Sequence, residues 1–299
     1  MSWTAVVNPS AGRRRGAEEI ARVGDALRAR GIPVHVTADA AEGADVAADA
    51  FARGDRVLAC GGDGTVLGLA ECAATHDGLL GVVPVGSGND FARGLGLDPE
   101  DPLAALRVVD TGRETRVDLG RIRTADGGTR RFTTVAHSGL DGEVNRRANS
   151  VTRLSGTALY AVAAVRAIAT YRPTEMRVRV DDTEWSGRPW LVAVANTPVY
   201  GGGMAIAPPA RIDDGRLDVI LVHGVSRARV LTCFPRMIRG THLGIDGVEH
   251  LRGTTVTIEG PPGQEIYACG EQIGPLPATV DVVPRALRVV VPTAADVRD

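Results

Sequence analysis

Val57-Leu58-Ala59-Cys60-Gly61-Gly62-Asp63-Gly64-Thr65-Val66 decides how this chain is read. Four apolar residues predict a buried strand. Three glycines within four positions remove the Cβ atoms that would hold a ligand away, and a helix-like run follows from Val66. Such a turn aims backbone N–H groups at an anion, with the positive end of a helix behind them. Asp63 repels phosphate unless a cation lies between, and Mg²⁺ is the usual mediator. The same residues also suit a tight turn in which the glycines supply positive φ and Asp63 caps the helix.

Outward from this stretch, Gly81-Val82-Val83-Pro84-Val85 predicts a second buried strand. After it, Gly86-Ser87-Gly88-Asn89-Asp90-Phe91-Ala92-Arg93 again puts glycines, a hydroxyl and a carboxylate at a helix start. Two such turns after neighbouring strands face each other at one sheet edge, where open α/β sheets bind ligands. Upstream, Trp3-Thr4-Ala5-Val6-Val7 predicts a strand that runs into Asn8-Pro9-Ser10-Ala11-Gly12 and three arginines. A helix is expected over residues 17–30, a strand over Val34-His35-Val36-Thr37 and a helix over residues 42–53. This alternation predicts a Rossmann-like parallel sheet with helices on both faces.

From Arg121 onward, short alternating runs separated by Gly, Asp and Pro replace long helices, the texture of a β-sandwich. One helix, residues 157–171, interrupts them. The expected fold is therefore α/β plus all-β. Residues 1–120, completed by a C-terminal strand within 285–299, form the nucleotide domain, and residues 121–284 form the sandwich.

The 299 residues are 44% hydrophobic, enough for two cores, and the net charge of -2 argues against a nucleic-acid partner held by bulk electrostatics. There is no lysine; all 34 basic residues are arginine, which excludes a P-loop lysine and Schiff-base chemistry. Cys60, Cys72, Cys233 and Cys269 lack metal-type spacing and read as reduced thiols. The first apolar run ends at Asn8-Pro9, so no signal peptide is expected, and no stretch is long enough to span a membrane. Residues 226–240 mix apolar side chains with four arginines, as interfacial segments do, although an ordinary packed surface segment has the same composition. Pro235 argues against one continuous helix there.

Gly61-Gly62-Asp63-Gly64-Thr65 together with Pro84-Val85-Gly86-Ser87-Gly88-Asn89-Asp90-Phe91 resembles the paired signature of the diacylglycerol kinase catalytic family, the bacterial soluble lipid kinases related to sphingosine and ceramide kinases. The first motif is shared with NAD kinases and phosphofructokinases, whereas the second is narrower. Tyr200-Gly201-Gly202-Gly203-Met204, Asp213-Asp214-Gly215-Arg216-Leu217-Asp218 and Gly270-Glu271 continue the resemblance in order along the chain.

The resemblance implies transfer of the γ-phosphate of ATP to a lipid hydroxyl, most naturally that of diacylglycerol, by a cytoplasmic protein working peripherally at the inner face of the membrane. It implies nucleotide contacts at Asn8, Gly12, Thr37, Gly61, Gly62, Asp63, Gly64, Thr65, Val66, Leu67, Gly86, Ser87 and Asn89. Asp63 would hold the catalytic Mg²⁺, with Asp90 and Asp118 beside it, directly or through water. Glu271 would be the general base, if burial raises its pKa. A structural Mg²⁺ would sit on the Asp214 carboxylate and the carbonyls of Arg211 and Arg216. Leu67-Gly68 and Cys269 depart from the family pattern, which has Asn-Glu and Asp there. Another lipid alcohol, NAD, and a non-catalytic nucleotide-binding regulator are the competing readings, and the pattern leaves a homodimer open.

Overall fold

The computed structural model describes residues 2–11, 16–140, 142 and 166–293. Strands β1 (Trp3–Val7), β2 (Val34–Val36), β3 (Arg56–Gly61) and β4 (Leu79–Pro84) alternate with helices α1 (Gly16–Ala29), α2 (Ala40–Ala52) and α3 (Asp63–His76). The strands pair in parallel in the order β2-β1-β3-β4. Every residue of β4, and all of β3 after Arg56, is buried, as an unbroken apolar run requires when helices cover both faces. Alternation along β1 sorts the two layers. Val6 packs with Ala47, Phe51 and Leu69 from α2 and α3, while Ala5 and Val7 pack with Val23 and Leu27 of α1.

The central helix starts at Asp63 rather than Val66, because Gly62 takes the extended N-cap conformation and Val66 N–H already reaches the Gly62 carbonyl at 3.0 Å. After β4 come α4 (Asp90–Gly94) and α5 (Pro102–Thr111). Asp101 caps α5 by accepting from Leu103 and Ala104 N–H, with Pro102 at the first turn.

The remaining strands are β5 (Arg113–Thr124), β6 (Thr129–Phe132), β7 (Val135–Gly139), β8 (Met176–Val180), β9 (Thr183–Gly187), β10 (Pro189–Ala195), β11 (Leu217–His223), β12 (Val248–Gly253), β13 (Thr255–Glu259), β14 (Glu265–Ala268), β15 (Glu271–Pro275) and β16 (Ala278–Val291), with α6 (Arg227–Ile238) after β11. One sheet, ordered β12-β11-β10-β7-β14-β15, faces the far half of the ten-stranded sheet across Ile122, Phe132, Val178, Val192, Val219, Val256 and Val280. Its other face packs Val135, Leu191, Ile206 and Ile220 against Val230 and Met237 of α6.

Strand β16 joins the halves. Its first part pairs with β13, a register shift falls between Val283 and Leu287, and Arg288 and Val289 then pair in parallel with β4. The C-terminal strand therefore begins at Ala278, earlier than the pattern indicates, and residues 294–299 lie outside the described residues. Helix α6 runs through Pro235 despite the expectation of a break. Pro235 stands on the exposed side, where water can serve the carbonyl that loses its donor. Of the helix expected over residues 157–171, residues 166–170 are helical and 157–165 lie outside the described residues.

Candidate active site

Two glycine turns meet at the carboxyl ends of β3 and β4. Gly61 pairs with Pro84, and Val85 N–H donates to the Gly61 carbonyl at 3.1 Å. A Cβ on Gly86 would lie 2.3 Å from Gly62 Cα, and one on Gly61 would lie 2.5 Å from Thr65 Cβ. The backbones thus approach as only glycine permits. Gly64 faces open space at the first turn of α3, whose leading N–H groups lack partners within the helix.

Asn8 follows β1 and donates from Nδ2 to Thr65 Oγ1 at 2.8 Å, so the first loop and the central turn are tied together. Thr37 is buried beside them, its N–H bonded to the Val7 carbonyl. Val66 is buried in the core, leaving only its backbone near the turn, whereas Leu67 is half-buried. Ser87 is exposed. Asn89, at φ 54, spends its amide on the loop itself, accepting from Gly86 N–H and donating to the Gly86 and Pro99 carbonyls. It therefore shapes the second turn. Gly12 lies outside the described residues.

Asp63 is half-buried and accepts from Phe91 N–H at 3.1 Å. Burial first, and then the neighbouring Asp90 charge, push its carboxyl above the ordinary aspartate range. Both Oδ2 atoms approach Gly88: a Cβ there would lie 2.6 Å from that of Asp63 and 3.5 Å from that of Asp90. Asp90 is buried and holds the sandwich half, accepting from Gly202 N–H at 2.9 Å and Gly203 N–H at 2.7 Å.

Asp118 is fully buried on β5 and accepts from Gly215 N–H and from Arg285 N–H, both at 2.7 Å. Arg285 sits in the β16 register shift at φ 52, so Asp118 pins the point where the strand changes neighbours. Asp214 accepts from Arg216 N–H and pairs with the Arg252 guanidinium, while Arg211 pairs with Asp213. Arg252 also reaches Asp218, which accepts from the His250 ring at 2.6 Å.

Glu271 opens β15 and is exposed, not buried as expected. It follows a two-residue hairpin turn, Cys269 at φ 50 and Gly270 at φ 83, which needs residues tolerant of positive φ. Cys269 Sγ lies 3.5 Å from Thr134 Oγ1. The Thr134 carbonyl accepts from Thr197 N–H, and the Thr197 side chain fills the space beside Gly94 of α4. Thr134 and Thr197 thus link the hairpin to the helix that begins with Asp90.

Among the described residues no three His, Cys, Asp or Glu side chains form a metal cluster. The donor chemistry beside Asp63 nevertheless fits a divalent cation, which would relieve the repulsion between two neighbouring carboxylates. At Asp214 the Arg252 guanidinium stands where such a cation would compete. The motif reading missed Arg93 on α4. Its guanidinium approaches Gly203, its buried Nε lacks a partner, and its Nη2 lies 3.8 Å from Glu100. Arg93 thus places a cation at the junction in a chain without lysine.

Residues 2–122 match the family model "Diacylglycerol kinase catalytic domain", and residues 134–291 match "YegS C-terminal NAD kinase beta sandwich-like domain". A diacylglycerol kinase of Mycobacterium tuberculosis is 37% identical over 293 residues, covering 97% of this chain and 94% of that protein. A protein of Chromohalobacter salexigens named "Probable lipid kinase YegS-like" is 32% identical over 276 residues, 90% of this chain and 86% of its own. A crystal structure of a diacylglycerol kinase from Bacillus anthracis superposes with a TM-score of 0.72 at 18% identity, covering 98% of this chain and 97% of that one, which shows the shared fold. With paired glycine turns, an aspartate pair and a sandwich docked on them, the chain belongs to the diacylglycerol kinase family and is a lipid kinase.

Proposed function

We propose that the chain transfers the γ-phosphate of ATP to the free hydroxyl of diacylglycerol, giving phosphatidic acid and ADP, with Mg²⁺ held at Asp63. The observation that carries this reading is the junction of the glycine turns with the sandwich: Asp63 and Asp90 lie at Gly88, and Asp90 grips Gly202 and Gly203. Nucleotide phosphates would rest on backbone N–H groups of residues 61–65 and 86–88, with Asn8 and Thr65 fixing the first loop. When bound, the metal would offset phosphate charge. Arg93 would add a fixed positive charge at the same place.

Glu271 would accept the acceptor hydroxyl's proton as that oxygen bonds to phosphorus and the bond to the ADP oxygen breaks. Glu271 is exposed, and an acyl chain lying over the hairpin would cover it. The sandwich would carry the acceptor, which is consistent with Glu271 standing on β15. Among the described residues no helix is long and apolar enough to cross a membrane, so the acceptor would be met at the bilayer surface. The YegS-like name of one relative favours a second reading, in which the acceptor is another lipid alcohol.

The test is transfer of labelled γ-phosphate to a panel of diacylglycerol, sphingosine, phosphatidylglycerol and NAD. Labelled phosphatidic acid as the dominant product is the expected result. A dominant product from sphingosine or phosphatidylglycerol selects the second reading, and transfer to NAD alone overturns both.

A further inference from the structure

We propose that α6 is the surface through which this protein lies on an anionic membrane, an inference that rests on the acceptor being a lipid. Among the described residues the exposed large hydrophobic side chains are Val36, Leu231 and Ile238, and two of these stand on α6. Their spacing of seven residues puts them on one face, with half-buried Phe234 and exposed Pro235 between them. An adjoining face, Val230, Cys233 and Met237, is already used against the sandwich. Fold packing therefore explains one apolar face of this helix and, among the described residues, leaves Leu231 and Ile238 exposed beside it.

Charge decides what covers it. Arg227, Arg229, Arg236 and Arg239 are all exposed, and residues 227–239 contain no carboxylate. Arg227 donates to the Tyr171 carbonyl, and none of the four is ion-paired with another described residue. A chain of net charge -2 thus concentrates four cations on the exposed surface of the helix that carries the apolar stripe. Arginine stems lie along acyl chains while their heads meet lipid phosphates. A second copy fits poorly, since a two-fold contact sets the same arginines opposite one another. The stripe, about two helical turns long, is also small against the ~800 Å² a stable protein contact uses per side.

The helix leads back to the junction described above. Gly240, at φ 68, is so close to Pro208 that a Cβ would lie 2.8 Å from its Cγ, and the His242 ring lies 2.9 Å from the Ile206 carbonyl. Pro208 and Ile206 belong to the segment whose Gly202 and Gly203 hold Asp90. A bilayer under α6 therefore borders the loop that closes on the aspartates.

The experiment is co-sedimentation of the full chain with phosphatidylglycerol–phosphatidylcholine vesicles and with phosphatidylcholine vesicles alone. The chain is expected to bind the anionic vesicles. Leu231→Glu with Ile238→Glu should weaken this by at least about tenfold. Arg229→Gln with Arg236→Gln should weaken it by about fivefold per arginine. The charge pair keeps the proposal testable if the apolar pair misfolds. Binding by both double variants equal to the parent's, no binding by the parent, or a concentration-dependent dimer that the apolar pair abolishes, would overturn it. Transfer to a dispersed short-chain diacylglycerol is read separately. Its absence alongside variant-sensitive vesicle binding refutes the acceptor reading alone, and its presence without vesicle binding refutes the docking surface alone.

Discussion

Asp90→Asn isolates the bond between the two halves of the molecule. The carboxylate is buried and accepts Gly202 N–H at 2.9 Å and Gly203 N–H at 2.7 Å. An amide of the same shape keeps one acceptor and turns an NH₂ toward the other N–H. The variant loses one charge-assisted bond, about 1.5–3 kcal/mol, and weakens the second. Against this stands relief of repulsion at Asp63, whose carboxyl is pushed up first by burial and then by the Asp90 charge. Asp63 holds its proton to higher pH in the folded chain than in the unfolded one, so ionising it costs stability as pH rises from the ordinary aspartate range through its folded pKa. The relief is present only above that window, so the loss is largest in acid and smaller at neutral pH. A net loss of about 2.5 kcal/mol near neutrality corresponds to a fall in Tm of roughly 4 °C. Melting curves across this pH range check the size and the slope, and the acid limb of the kinase pH profile should move to lower pH. A Tm within about 1 °C of the parent at every pH would refute the reasoning, because the two N–H groups would then not depend on the carboxylate.

Gly86→Ala should lower ATP affinity and cost at least about 1–3 kcal/mol, because its Cβ meets Gly62 backbone at 2.3 Å; calorimetry and nucleotide titration check both. Asp118→Ala strands the N–H groups of Gly215 and Arg285, at about 1–3 kcal/mol each, and should lower Tm even when ATP is saturating. Cys60 is fully buried, with its thiol pushed up to about 12, so it should resist alkylation in the folded protein and react only after denaturation, as mass spectrometry of labelled peptides would show.

The strands and helices around the central turn were legible because burial on both faces imposes long apolar runs on β3 and β4. The sandwich was legible in texture, but edge strands β9, β12 and β15 were not, since their alternating or exposed residues carry little hydrophobic signal. β16 was read as a short closing strand because Pro284 and Arg285 interrupt its pattern; the register shift there, held by Asp118, depends on a partner far away in sequence. The motifs marked the residues of the site but could not assign their geometry. Asn89 and Asp118 turn inward to backbone groups, and Asp90 reaches across to Gly202 and Gly203. Arg93 carried no motif signal beyond being a lone cation after Asn89-Asp90-Phe91, and only its placement beside Gly203 marks it.

In the proposed reaction Asp63 and Glu271 serve one phosphoryl transfer from opposite halves of the fold. The direct measurement is the rate of Mg²⁺-dependent phosphatidic acid formation by the parent, Asp63→Asn and Glu271→Gln, with ATP binding measured alongside. Each variant should lose at least about 10²-fold, with Glu271→Gln retaining ATP affinity. Turnover by Glu271→Gln at the parent rate, with diacylglycerol as acceptor, would contradict it.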